Sequence, residues 1–148
     1  MATFDMTAKS TAGVDSNSIA VLPSARNKTY LAETILDIAK LVTAGTFSTV
    51  SNGDIFQVLE IPAGTVVIAA GAEVLTAWNG SSPTVDIDFA EGDDIVDGGD
   101  VSSTGFLASG TAGGANEPTA TTYTHFQSAT DTIDVNVIAA SSDVSVGI

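Results

Sequence analysis

Three short segments alternate apolar and polar side chains with a period of two: IFQVLEI at 55–61, VDIDF at 85–89 and TIDVNVI at 132–138. That period puts successive side chains on opposite faces of an extended backbone, so each segment reads as a strand with one face toward a core. In the first, Ile55, Gln57, Leu59 and Ile61 share one face, and Phe56, Val58 and Glu60 the other. In the second, Val85, Ile87 and Phe89 oppose Asp86 and Asp88. In the third, Ile133, Val135 and Val137 oppose Asp134 and Asn136. A chain with this pattern and no long helical periodicity has to bury its apolar faces sheet against sheet.

The intervening sequence extends this reading. Pro62-Ala63-Gly64 is a turn signal, because proline cannot donate to a ladder and glycine reaches backbone shapes closed to other residues. The run 65–78 is longer than an ordinary strand, and Gly71 at its middle marks a bend that lets one run serve two sheet regions. Residues 30–44 carry both helical and alternating signals; they divide into a strand over 30–36 and a short helix capped by Asp37, running to Val42 and closing near Gly45. Segments 90–100 and 108–121 read as long Gly-rich loops, with Phe106-Leu107 a short apolar contact between them. Residues 122–126 form a further short strand, and Val144, Val146 and Ile148 repeat the alternation. The expectation is an all-β sandwich or barrel of seven to nine strands with at most one short helix. An N-terminal segment over 1–28, an extended arm or a loosely attached first strand, precedes a single domain over 29–148.

Charge narrows the functional classes. The 148 residues contain 18 acids against 4 bases, a formal net charge of −14. Lys9, Arg26, Lys28 and Lys40 are all in the first forty positions, and every Lys and Arg is absent beyond them. A surface of this sign repels a phosphate backbone and an anionic bilayer, so neither direct nucleic-acid binding nor membrane binding is expected. There is no cysteine to form disulfides, thiolate nucleophiles or thiolate metal sites. No signal peptide and no membrane-spanning apolar stretch is read, which suits synthesis in the cytoplasm.

The densest chemistry is at 85–100, where seven of sixteen side chains are acidic. A calcium loop needs oxygen ligands at positions 1, 3 and 5, glycine at 6 and glutamate at 12. Counted from Asp86, position 5 is Ala90; counted from Asp93, position 3 is Ile95; neither register fits. Asp93, Asp94, Asp97 and Asp100 could gather a hard cation only through an irregular loop, and a solvated acidic rim is the simpler reading. Asp86 and Asp88 have the spacing of paired carboxylates in glycoside hydrolysis, but wet Gly-rich surroundings do not raise a carboxyl pKa. His125 is the sole histidine and lacks an orienting acid and a nucleophile motif nearby. No enzyme, cofactor or metal is expected. Trp78, the sole tryptophan, ends the longest run and is either a sheet-end plug or an anchor in a partner's pocket.

The run DIFQVLEIPAGTVV at 54–67, the VDIDF segment with the acidic stretch 93–100, and DTIDVNV at 131–137 together resemble small virion proteins of tailed bacteriophages, including cyanophages. The resemblance spans about residues 30–148 and is carried by strand-turn-strand phrases. It implies a jelly-roll-like β-sandwich and a head decoration (cement) protein, a homotrimer bound to the major capsid protein on the capsid exterior. A tail or other virion component, and a carbohydrate- or receptor-binding sandwich, are the alternatives. In that setting Lys9, Arg26 and Lys28 are candidate contacts to acidic capsid surface, and Trp78 a candidate interface anchor. The acidic loops would face outward, and removal of residues 2–22 is expected to lower occupancy and leave folding intact.

Overall fold

A computed structural model describes residues 2–6, 31–89, 95–108, 125–139 and 144. Within them the chain runs through β1 (Thr3–Asp5), α1 (Ile38–Thr43), β2 (Ile55–Ile61), β3 (Val66–Val67) and β4 (Gly71–Val74). It continues through β5 (Thr84–Phe89), β6 (Val96–Asp100), β7 (Gly105–Ala108), β8 (His125–Phe126) and β9 (Asp131–Ala139). The fold is mostly β, with one short helix among the described residues.

The three alternating segments of the sequence become adjacent strands. The main sheet has the order β1-β2-β9-β5-β6, so β9 lies between β2 and β5 and pairs antiparallel with both. Register then sorts the side chains by row. Phe56, Val135 and Ile87 form one row across the three strands, and Leu59, Ile133 and Phe89 the next. These rows face the core, where Phe56, Ile87 and Phe89 pack in one cluster with Ile38 and Leu41 of the helix. The reverse face carries Gln57–Asp134–Asp88 and Ile55–Asn136–Asp86.

One expectation about faces fails at β2. The register slips between Gln57 and Leu59, leaving Val58 as the extra residue of a bulge. A bulge moves every later side chain to the other face. Phe56 therefore shares the core face with Leu59 and Ile61, instead of opposing them, and Glu60 turns outward.

The helix agrees with its sequence signals almost to the residue. Asp37 is extended (φ −103°, ψ 96°), its Oδ1 accepts from the Lys40 N–H at 3.0 Å, and its Oδ2 lies 3.4 Å from the Lys40 ammonium. Gly45 follows with φ +75°, a left-handed shape suited to ending a helix. The segment before it does not make the expected strand: only Leu36 has a bridge assignment, and Tyr30 lies outside the described residues.

Of the two readings of the N-terminal segment, its described residues take the first-strand one. β1 pairs in parallel with β2, the Met6 N–H donates to the Gln57 carbonyl at 2.8 Å, and Met6 is buried. Phe4 stacks on Phe56 with centroids 5.2 Å apart, and Phe47 closes the triad at 5.0 Å from Phe4 and 5.6 Å from Phe56. Such ring pairs add about 0.5–1.5 kcal/mol beyond area burial. A deletion reaching residues 2–6 would thus strip core, contrary to the sequence-based expectation that folding would be untouched.

The long run at 65–78 divides as its glycine suggests. Its first part, β3, pairs with β8; its second, β4, begins at Gly71 and pairs with β7. The two ribbons are separate two-stranded ladders. Val74 and Leu107 bring the β4–β7 ribbon into the core, and Leu107 approaches β6 at Gly99.

Candidate functional site

The acid-rich stretch is where sequence reading looked for chemistry, and its described part is a hairpin arm. Residues 96–100, expected as loop, form β6 against β5, with Thr84 opposite Asp100, Val85 opposite Gly99 and Ile87 opposite Val96. The register slips between Val85 and Ile87, and the two glycines absorb that slip. Gly98 takes φ +62°. At Gly99 a Cβ would come within 2.7 Å of Val96 Cγ1 and 3.3 Å of Leu107 Cδ1, so a side chain there forces its neighbours to shift. Glycine-aspartate composition hid a strand because it lacks the β-branched signal, while its geometry requires those glycines.

The carboxylates of this hairpin serve the backbone. Asp86 Oδ1 accepts from the Gly98 N–H at 2.7 Å, satisfying the irregular part of the ladder. Asp100 Oδ1 accepts from the Ser102 N–H at 2.8 Å; hydrogen bonding from the Ser102 side chain and then its backbone holds this exposed carboxyl below the usual range. Asp97 is exposed. Glu91, Asp93 and Asp94 lie outside the described residues, so the irregular cation loop is not described. Among the described residues no group of three or more His, Asp or Glu side chains is placed to hold a metal ion.

A second acidic grouping, not singled out in the sequence, is on the reverse face of the sheet. Asp88 of β5 sits directly opposite Asp134 of β9, and both are buried, at 6% and 7% exposure. The Asn136 amide donates to Asp88 Oδ2 at 2.8 Å. The Thr132 hydroxyl donates to Asp134 Oδ1 at 2.6 Å and accepts from the Gln57 amide at 3.3 Å. Burial pushes the Asp134 carboxyl up from its ordinary value and the nearby Asp131 charge adds to that, against the hydrogen bonds from Thr132 and Gln57. Sequence alternation placed Asp86, Asp88 and Asp134 on polar strand faces, but only register brings two of them face to face.

Asp54 was likewise read as part of a phrase and turns out to be a clamp. It is buried; its Oδ1 accepts from the Ala2 N–H at 2.8 Å and its Oδ2 from the Ser51 N–H at 2.9 Å. One carboxylate thus ties β1 and the Ser51–Asp54 turn to the start of β2.

Of the candidate interface residues, Lys9, Arg26 and Lys28 lie outside the described residues. Trp78 is 7% exposed, belongs to the core, and donates its backbone N–H to the Val101 carbonyl at 2.9 Å. The His125 backbone is in β8 opposite Val67; its side chain lies outside the described residues. Large apolar side chains stand in solvent elsewhere. Val66 and Phe126, directly opposite each other on β3 and β8, are 51% and 63% exposed; Ile68, Leu75 and Phe106 are also exposed. No helix among the described residues is long and apolar enough to cross a membrane. No family model, curated protein or solved structure matches the chain.

Proposed function

We propose that this chain is a non-enzymatic virion structural protein, a head decoration protein that binds the major capsid protein on the capsid exterior as a homotrimer. The observation that carries the reading is the apolar surface of the two ribbons, centred on the Val66–Phe126 cross-strand pair with Ile68, Leu75 and Phe106 exposed on the same part of the chain. A strand pair that turns two large apolar side chains to water is suited to burial against another protein surface. The phage-like phrases at 54–67, 85–100 and 131–137 supply the kind of partner, and the charge of −14 favours outward-facing loops that discourage random self-association. In this reading the main sheet and the ribbons are the two layers of a jelly-roll-like sandwich, with Leu107 packed toward Gly99 as one contact between them.

Localisation in an intact particle tests it. Density for this chain on the head exterior, with a solution mass of three chains before assembly, is the expected result. Density confined to the tail, or absence from purified particles, would overturn it. Phe126→Ser, on an exposed side chain, should keep the fold and lower both trimer content and occupancy.

A further inference from the structure

We propose that Asn52 is a deamidation site that the fold keeps shut, and that its conversion to isoaspartate releases the N-terminal strand. Asn52 is exposed in the turn before β2, and Gly53 after it has no side chain to hinder attack on the Asn52 amide. In that reaction the Gly53 nitrogen bonds to Asn52 Cγ and the Cγ–Nδ2 bond breaks. The departing amide takes up the Gly53 proton and leaves as ammonia. Water then opens the cyclic imide at either carbonyl, giving aspartate or isoaspartate. Both products carry a new negative charge, and isoaspartate also routes the main chain through an extra carbon.

Two features of the fold hold the reaction back. The Asp54 N–H donates to the Ser51 carbonyl at 3.1 Å, Gly53 has φ +86°, and Asn52 is not left-handed. That is the pattern of a type II turn, whose first central residue has ψ of about +120°. Ring closure needs the Gly53 nitrogen eclipsed with Asn52 Cβ, and this ψ turns the nitrogen away from it. The Gly53 N–H also donates to the Val137 carbonyl of β9 at 2.7 Å, so the attacking nitrogen is held in the sheet. The Val137 N–H donates back to the Asp54 carbonyl at 2.9 Å, which fixes the turn on both sides. Rotation about the Asn52 Cα–C bond undoes both restraints together, so reaction waits on local opening of the turn from β9. The same turn seats β1. Asp54 accepts from the Ala2 N–H at 2.8 Å and the Ser51 N–H at 2.9 Å, and the Ile55 N–H donates to the Ala2 carbonyl at 2.8 Å. Isoaspartate lengthens the chain between Ser51 and Asp54, so one carboxylate no longer spans both amides. Aspartate leaves that length unchanged and adds only an exposed charge.

Peptide mass spectrometry of the full chain, aged in warm, mildly alkaline buffer with and without denaturing urea, supplies the test. Asn79-Gly80 has the same pair of residues and is the internal reference in urea, where both asparagines should convert at similar rates. In native buffer Asn52 should convert at least about tenfold more slowly than in urea, the factor being set by how rarely the turn opens. Through urea concentrations below the unfolding transition, Asn52 conversion and Gly53 amide exchange should rise together. Chains converted in urea are then separated into aspartate and isoaspartate forms and refolded. The isoaspartate form should exchange the Phe4 and Met6 amides faster than wild type, whereas the aspartate form and Asn52→Asp should match wild type. The rate comparison uses wild-type chain alone, so it stands even where the isoaspartate form does not refold. Equal Asn52 conversion in native buffer and urea, no Asn52 conversion in urea where Asn79 converts, or wild-type exchange at Phe4 and Met6 in the isoaspartate form would overturn the proposal.

Discussion

Replacing Phe56 by alanine tests whether the N-terminal strand is part of the folded core. Phe56 is fully buried and touches two other rings, Phe4 from β1 and Phe47 from the turn after α1. Truncating a buried phenylalanine costs about 3–5 kcal/mol through lost transfer energy and the cavity left behind. Phe4 is half-buried, so Phe4→Ala should cost less, about 1–2 kcal/mol. The rings stack at 5.2 Å, which adds a coupling of about 0.5–1.5 kcal/mol, and the double variant should lose less than the two singles added. With a urea slope of about 2 kcal/mol per molar, Phe56→Ala lowers the midpoint by about 1.5–2.5 M. Trp78, buried and unique, reports the transition without a label. A midpoint change under about 0.5 M for Phe56→Ala would refute the packing described. So would singles that add without coupling, since Phe4 would then not be resting on Phe56.

Three further outcomes follow from local geometry. Gly99→Ala should destabilise by about 1–3 kcal/mol, because its Cβ has no room beside Val96. Gly98→Ala, where a Cβ meets nothing within 4 Å but φ is +62°, should cost only about 1 kcal/mol; equal costs would mean that crowding is not the constraint. Asp54→Ala leaves the Ala2 and Ser51 amides without their acceptor and should lower stability by about 1–3 kcal/mol. Amide exchange of Phe4 to Met6 should accelerate in this variant, and unchanged exchange would argue against the clamp. Asp37→Ala should cost about 1 kcal/mol by uncapping the helix, measured by the same urea transition, whereas Asp37→Asn should recover most of it.

Much of the sheet was legible before any coordinates. The alternation in TIDVNVI gave the correct two faces of β9 because β9 itself carries no extra residue from Ile133 to Val137: the slip against β2 inserts a residue on β2, and the slip against β5 falls at Ile138. Asp37 and Gly45 bounded the helix because capping is local chemistry. Leu59, Glu60 and Ile61 were assigned to the wrong faces relative to Phe56 for the opposite reason: the bulge at Val58 is decided by the partner strand, and IFQVLEI alternates perfectly without it. β6 was read as loop because VDGGD has almost no strand propensity, yet the close approach of Val96 makes a side chain at Gly99 costly. The Asp88–Asp134 juxtaposition depends on a register between segments far apart in sequence. A polar residue on an alternating strand ordinarily reads as facing water, and here two of them are buried.

The place of β9 between β2 and β5 also governs when the main sheet can close up. Neither flanking strand acquires its central neighbour until residues 131–139 are present, and among the described residues β1 pairs with β2 alone. The β1–β2 and β5–β6 pairs can form without it, but the two halves of the main sheet join only when β9 pairs with both, across segments distant in sequence. Non-local pairing of this kind costs loop-closure entropy before its contacts are gained, which places the joining of the two halves among the slower steps of folding.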